Sequence, residues 1–377
     1  MMDESHPSDG RRLNRREVLG LGALALAGAA CGGSTSSGGT ASGLSVSSGA
    51  KIEGTLQIYN WSQYIDPNNE KAFGSKYGVT VKETNYGSNE ELFTKLTATK
   101  GQKLYDIIVP DADHVRIEKS LGLLAKLDHS LIPNLKNLAP HWTELVYDPG
   151  NVYSVMKDVG ITAIGYDPKI VKTDLASWKD FFDYLPHKDP GVKVNFIESP
   201  AEVIGVALNS FGYSMNSESD SELNQAEQLL LKVRPYVNRI NTDEVDPFSK
   251  GDVNLGIIYS GDGLRAKAAR KGDFTVVAPE GKSEIWIDNW AISAYAPDPV
   301  AAHAWINYIL EPAVNAKEME YHQYEVGTPA SYPMVGSLAQ NPLVVFPQRI
   351  LDDYEILQTT PDGLNKRVAI WNKFTSA

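Results

Sequence analysis

TLQIYNWSQYIDPNNEKAFGSKYGVTVKETNYGSNEELFTKLTATKGQKLYDIIVP, residues 55–110, alternates between two periodicities. Thr55 to Tyr59 reads as an apolar strand and Asn69 to Tyr77 as a helix. Val79 to Glu83 reads as a second strand. Ser88 to Thr99 reads as a helix opened by a capping box, with Ser88 as cap and Glu91 three residues on. Its buried face is Leu92, Phe93 and Leu96. Tyr105 to Val109 is a near-continuous apolar run, as expected of a strand covered on both faces, and a further helix is predicted over Asp113 to Leu123. The β-α-β-α-β order predicts a parallel sheet with right-handed crossovers.

Ligands of such sheets bind outside the carboxyl ends of the strands. That rule selects three loops: Asn60, Trp61, Ser62 and Tyr64; Asn85, Tyr86, Gly87 and Ser88; and Pro110, Asp111, Ala112 and Asp113. Aromatic and acidic residues concentrate there.

A second α/β unit follows. Strands are predicted over Gly160 to Tyr166, Val192 to Ile197, Val253 to Tyr259, Phe274 to Val277 and Glu284 to Ile292. Helices are predicted over Pro200 to Phe211, Asp220 to Val233, Pro299 to Leu310 and, in the tail, Asn365 to Phe374. Two α/β lobes sharing a strand near Trp286 predict a clamshell, with a crossing near Tyr153 to Gly160. Trp178, Trp305 and Trp371 lie on helical patterns and are expected in the core, Trp290 at the crossing rather than against a ligand, and Lys157 toward solvent.

The chain has 377 residues, a net charge of −12 and one cysteine, Cys31. The first 30 residues carry no net charge, so the acidic excess belongs to the rest, which disfavours nucleic acid as a partner. Arg11, Arg12, Arg15 and Arg16 precede an apolar run from Val18 to Ala30, too short for the roughly 20 helical residues that cross a bilayer. A basic segment, a short apolar segment and a small-residue junction form an export signal. Arg15-Arg16-Glu17-Val18-Leu19 resembles a twin-arginine motif, and Gly28-Ala29-Ala30-Cys31 resembles a lipoprotein box. Cleavage before Cys31 and lipidation of its sulfur are expected. A Gly/Ser-rich tract to about residue 50 would serve as a flexible tether.

From about residue 54 to its end the chain resembles the spermidine/putrescine-binding proteins that serve bacterial ABC importers. The marks are Tyr59-Asn60-Trp61-Ser62-Gln63-Tyr64, Ser88-Asn89-Glu90, Tyr105-Asp106-Ile107-Ile108-Val109-Pro110, Gly251-Asp252-Val253-Asn254-Leu255-Gly256, Trp286-Ile287-Asp288 and Gly327-Thr328-Pro329. The resemblance implies an α/β, two-lobe periplasmic-binding-protein fold of the type II kind, each lobe a mainly parallel sheet flanked by helices. The expected divisions are 1–30 export signal, 31–51 lipidated cysteine and tether, 52–158 with 289–331 as the first lobe, and 159–288 with 332–377 as the second. It also implies a polyamine in the interlobe cleft, permease and ATPase partners, an exported lipid-anchored monomer and no cofactor. Trp61, Tyr64 and Trp286 match aromatics that line the family's cleft, Ser62 and Thr242 match hydroxyl positions, and Glu202 and Asp288 match carboxylates that hold ammonium groups.

Aromatic walls suit methylene chains and add cation–π attraction of ~0.5–2 kcal/mol each, while carboxylates give charge-assisted hydrogen bonds to the amines. Departures from the family pattern are Tyr259 at a usual Trp, Ser199 at a usual acid beside Glu198, and Asp113 and Val326 at usual aromatics. Asp111 and Asp262 are extra acids near the predicted cleft, and Glu355 and Gln358 are candidates from the tail. Bland roles are also open: Glu202 could favour its helix start through the dipole, and Asp111 and Asp113 could be a cap and a first-turn acid.

An enzyme is disfavoured. The seven histidines show no paired zinc-ligand spacing, and Ser260-Gly261-Asp262-Gly263 lacks the glycine that a nucleophile elbow places two residues before its serine. No glycine-rich phosphate loop precedes a helix. The alternative keeps the fold and changes the ligand to another small solute.

Overall fold

The computed structural model describes residues 52–377, so the readings on the leader, Cys31 and the tether lie outside the described residues. The first third follows the predicted alternation: β1 (Thr55–Trp61), α1 (Pro67–Tyr77), β2 (Thr80–Tyr86), α2 (Asn89–Ala98), β3 (Ile107–Ile108) and α3 (Ala112–Ser120). β1 lies between β2 and β3 and is parallel to both.

Local chemistry sets these boundaries. The Asp66 side chain accepts from the Asn68 N–H, Pro67 opens α1, and Gly78 ends it at φ 70, a left-handed cap that glycine takes without a Cβ clash. Ser88 caps α2 by accepting from the Glu91 N–H at 3.1 Å. The Glu91 carboxylate reaches back to the N–H of Gly87 at 2.9 Å, one residue before the usual box partner. The strand predicted over Tyr105 to Val109 shortens to two residues. Asp106 still donates its N–H to Gln57 O at 2.8 Å and accepts from Ser293 N at 3.0 Å, while its carboxylate takes the N–H groups of Gln57 at 2.8 Å and Asp298 at 2.6 Å.

Then comes β4 (Ser154–Tyr166), buried at every position. It is followed by α4 (Trp178–Tyr184), β5 (Val194–Phe196), α5 (Pro200–Asn209), α6 (Asp220–Val233), β6 (Arg239–Ile240) and α7 (Val245–Lys250). β7 (Leu255–Tyr259), α8 (Ser260–Ala269), β8 (Thr275–Val277) and β9 (Ile285–Ile292) complete the second unit. The chain ends with α9 (Pro299–Ile309), α10 (Pro312–His322), β10 (Glu325–Val326), α11 (Gln348–Asp353) and α12 (Pro361–Ser376). α12 starts earlier than the predicted Asn365 because Thr360 caps it, accepting from the Gly363 N–H at 3.0 Å.

The strands form one sheet in the order β2-β1-β3-β9-β4-β7-β5-β6, with β8 and β10 also on β4. Its two ends are parallel and its middle antiparallel. β4 carries both halves: its first part, Ser154 to Ile161, pairs with β9, and its last part, Thr162 to Tyr166, pairs with β7. The register with β9 shifts between Met156 and Asp158, a bulge at Lys157.

Two large cores flank this crossing. Leu56, Ile58, Phe73, Trp290, Trp305 and Ile306 pack at the β1 end. Trp178, Phe181, Phe196, Leu255, Trp371 and Phe374 pack at the β5 end, where α12 lies against α5 and α6. Trp178, Trp305 and Trp371 are thus core residues, and Trp290 is buried in the core at the crossing.

Candidate functional site

β9 and the residue before it put Glu284, Trp286 and Asp288 two apart, hence on one face of the strand. That face lines a cavity of about 150 Å³. Trp61, Ser62, Tyr64, Tyr86, Asp111, Glu202, Thr242, Tyr259, Trp286 and Asp288, ten of the twelve predicted ligand contacts, line it together. The other two, Asp113 and Ser199, line a smaller annex of about 20 Å³ beyond Trp61, Glu202 and Tyr259.

The walls are aromatic. Trp286 meets Tyr259 edge-on at 5.7 Å and Tyr324 at 4.9 Å between ring centroids. Trp61 leans on Tyr86 at 4.8 Å, and the Tyr86 hydroxyl donates to Val109 O at 2.5 Å. Gly160 makes room for Trp286: a Cβ there would lie 2.2 Å from the indole.

Two acidic centres sit among these rings. In the first, the Tyr64 hydroxyl lies 2.5 Å from Asp158 Oδ1 and 2.8 Å from Asp288 Oδ2. A phenol has one proton, so both contacts are hydrogen bonds only when a carboxyl keeps its own. Burial, then the neighbouring Asp158 charge, pushes the Asp288 carboxyl well above its usual range. In the second, Thr162 Oγ1 lies 3.2 Å from Glu202 Oε2 and 2.9 Å from Glu284 Oε2, and the Tyr259 hydroxyl donates to Glu202 Oε1 at 2.9 Å. Burial raises Glu202, and burial together with Glu202 raises Glu284 well above the ordinary value. Asp262 also lines the cavity, and burial pushes it up to about 6 despite Arg265 at 3.4 Å.

Lys157 does not point to solvent as expected. It is 2% exposed, and its ammonium pairs with Asp158 and stands 3.4 Å from the Tyr64 ring centroid. β4 is covered on both faces, so neither leads to solvent, and the bulge breaks the alternation that would send Lys157 and Asp158 to opposite sides. Burial holds His322, 3.2 Å from Asp158, well below its usual value and so neutral.

Several predicted residues carry structural partners as well. Asp111 caps α3, accepting from the N–H of His114 at 2.7 Å and facing its Nδ1 at 2.9 Å. Burial opposes the charge on His114, but Asp111 outweighs it and lifts the imidazole to about 10. Asp113 accepts from Arg116 at 2.6 Å and from the Thr359 N–H and hydroxyl at 3.1 and 2.7 Å. Ser199 caps α5, its Oγ accepting from Glu202 N at 3.4 Å. Thr242 Oγ1 accepts from Glu198 N at 3.0 Å. Glu355 accepts from Ser214 and Met215, both at 2.8 Å, and neither it nor Gln358 lines the cavity.

The sequence reading omitted Glu284, Tyr324, Asn89, Gln63 and Arg265 from the site. Glu284 carried a signal, the same period-2 spacing that holds Trp286 and Asp288. Tyr324 lies two residues before Val326, which is fully buried. Arg265 reaches the cavity from α8 and donates to Gln63 Oε1 at 2.8 Å, with Gln63 held at φ 55. Among the described residues no group of three or more His, Cys, Asp or Glu could hold a metal ion, and no helix is long and apolar enough to cross a membrane.

The bacterial extracellular solute-binding protein family matches residues 70–344. A putrescine-binding periplasmic protein of Pseudomonas aeruginosa is 32% identical over 326 residues, covering 81% of this chain and 87% of that protein. The structure of a spermidine/putrescine ABC transporter substrate-binding protein from Streptococcus pneumoniae is similar at a TM-score of 0.71 and 25% identity, covering 86% of this chain and 99% of that one. A lipoprotein of Treponema pallidum is similar at a TM-score of 0.71 and 27% identity, covering 85% of this chain and 99% of that one.

Proposed function

The chain belongs to the bacterial extracellular solute-binding protein family, and from that membership and the chemistry of its cavity we propose that it binds a polyamine, putrescine or spermidine, and delivers it to an ABC importer. The observation that carries this is the acid–aromatic–acid face of Glu284, Trp286 and Asp288, with Glu202 and Tyr259 beside it. An ammonium can replace the protons that these buried carboxyls otherwise hold, and the rings cover the methylenes between. The cations nearest the site, Lys157 and Arg265, are already paired with Asp158 and Asp262.

Closure is the transport signal in this reading. Residues 52–158 with 289–331 form one lobe, residues 159–288 with 332–377 the other, and the ligand stabilises the shut state by its differential affinity for it. The shut form docks on the permease, whose ATPase drives release. The protein acts as a monomer and catalyses no reaction. It is exported, and Cys31 carries the lipid that holds it at the outer face of the cytoplasmic membrane. The named function of the Pseudomonas relative and the lipoprotein character of the Treponema one support this reading.

A thermal-shift screen with putrescine, cadaverine, spermidine and spermine tests the ligand class, with acidic amino acids and phosphonates as controls. A ligand at 100 times its Kd adds about 2.7 kcal/mol of stability. A rise in Tm with amines alone supports the proposal. A rise with a control solute and none with amines overturns it.

A further inference from the structure

β9 measures length. Glu284 and Asp288 are four residues apart, about 13 Å along a strand rising ~3.3 Å per residue. An extended four-carbon diamine separates its nitrogens by roughly 6 Å, given bonds of about 1.5 Å in staggered array. Adding a hydrogen bond of ~2.8 Å at each end gives about 12 Å from carboxylate to carboxylate. An extended triamine of the spermidine kind needs about 17 Å by the same count. Its surplus must pass Glu202 and Tyr259 into the annex.

The annex has no room for it. The space falls from about 150 Å³ in the cavity to about 20 Å³ beyond, enough for a water but not for a propylamine arm. Asp113 and Thr359 line it, and Arg116 ties the two together in a three-residue clasp. Asp113 and Arg116 come from α3, at the β1 end of the sheet. Thr359 comes from a strap at the opposite end, fixed where Gln358 N donates to Asn216 at 2.7 Å and Thr360 N to Glu218 at 3.0 Å. Thr359 donates to Asp113 through both its N–H and its hydroxyl, and Arg116 donates to Asp113 and to Thr359 O at 2.7 Å. Asp113 is 4% exposed and its carboxylate is fully engaged, while the Arg116 side chain that pairs with it is 44% exposed.

We propose that the Asp113–Arg116–Thr359 clasp is a specificity determinant: by joining α3 to the tail strap it closes the end of the cleft and selects short diamines over tri- and tetra-amines. This rests on the amine-binding reading above.

Isothermal titration of wild type, Arg116→Ala and Thr359→Val with putrescine, cadaverine, spermidine and spermine tests it. The valine variant keeps the side-chain volume and the backbone N–H to Asp113, so it remains informative if the alanine variant fails to fold. Wild type should bind putrescine at least about tenfold tighter than spermidine, and the folded variants should narrow that ratio to about threefold or less. Equal affinity for the two amines in wild type overturns the proposal. So does a ratio that persists in a folded variant. Absence of binding by any amine defeats the amine-binding reading itself, a result distinct from either.

Discussion

Asp288 answers to three neighbours at once: Tyr64, Asp158 and the cavity. If it receives a ligand ammonium, Asp288→Asn removes a charge-assisted bond worth ~1.5–3 kcal/mol, so polyamine affinity should fall tenfold or more by titration calorimetry. Unchanged affinity would remove it from the site. Gly160 offers a test without any charge. A methyl group there meets the Trp286 ring at 2.2 Å, so Gly160→Ala must displace the indole toward the cavity. Overpacking of this kind costs ~1–3 kcal/mol, and both the Tm and the amine affinity should drop. An unaltered melt would mean that Trp286 moves freely. At this scale the loops carrying Trp61, Tyr64, Tyr86 and Asp111 were legible from the strand order, while Glu202, Thr242, Tyr259, Trp286 and Asp288 came into view only through the family resemblance. Glu284 shows the limit: it shares its face with Trp286 and Asp288, yet lies outside the Trp286-Ile287-Asp288 motif.

The elements were legible wherever a local signal ends them. Ser88 announces α2 and Asp111 announces α3, and both caps are made. Two features depend on partners far along the chain. The Asp106 carboxylate binds the backbone of residues 57 and 298, and the bulge in β4 exists only relative to β9. Neither can be seen in a window of a dozen residues. The bulge matters most, because it brings Lys157 beside Asp158 as a resident cation. Lys157→Met should therefore destabilise the empty protein by about 3–5 kcal/mol, the usual cost of stripping a buried charge of its partner. The Tm gain on adding putrescine should exceed that of wild type, since the ligand ammonium becomes the only cation facing Asp158 and Asp288. A smaller gain would show that Lys157 supports ligand binding rather than competing with it.

For the whole molecule, the alternation of residues 55–110 foretold the parallel end of the sheet, while the antiparallel middle follows from β4 and β9 crossing it together. That crossing gathers acids from distant segments into one desolvated place. Burial raises Asp158, Glu202, Glu284 and Asp288, and lifts Asp262 to about 6. A carboxyl raised on folding stabilises the fold fully below its unfolded value of ~4, and that contribution is lost as pH climbs through the folded value. The empty protein should thus lose stability from about pH 4 through 6 and beyond. Amine binding runs the other way, because an ammonium favours the ionised carboxylates. Affinity should rise over the same window and protons should be released. Calorimetry at pH 6 in two buffers of different ionisation enthalpy measures that release, and a proton count of zero would refute the exchange.

The hydrogen bond from Arg265 to Gln63 has a further consequence, which concerns time. It joins α8 to the loop after β1 through two residues that both line the cavity, so parting those elements means breaking it. If that parting admits the ligand, capture waits for it. In stopped-flow fluorescence from Trp61 and Trp286, the observed rate should level off as amine concentration rises, at a ceiling set by the gate and not by diffusion. Gln63→Ala should lift that ceiling, trading retention of the cargo for speed of uptake.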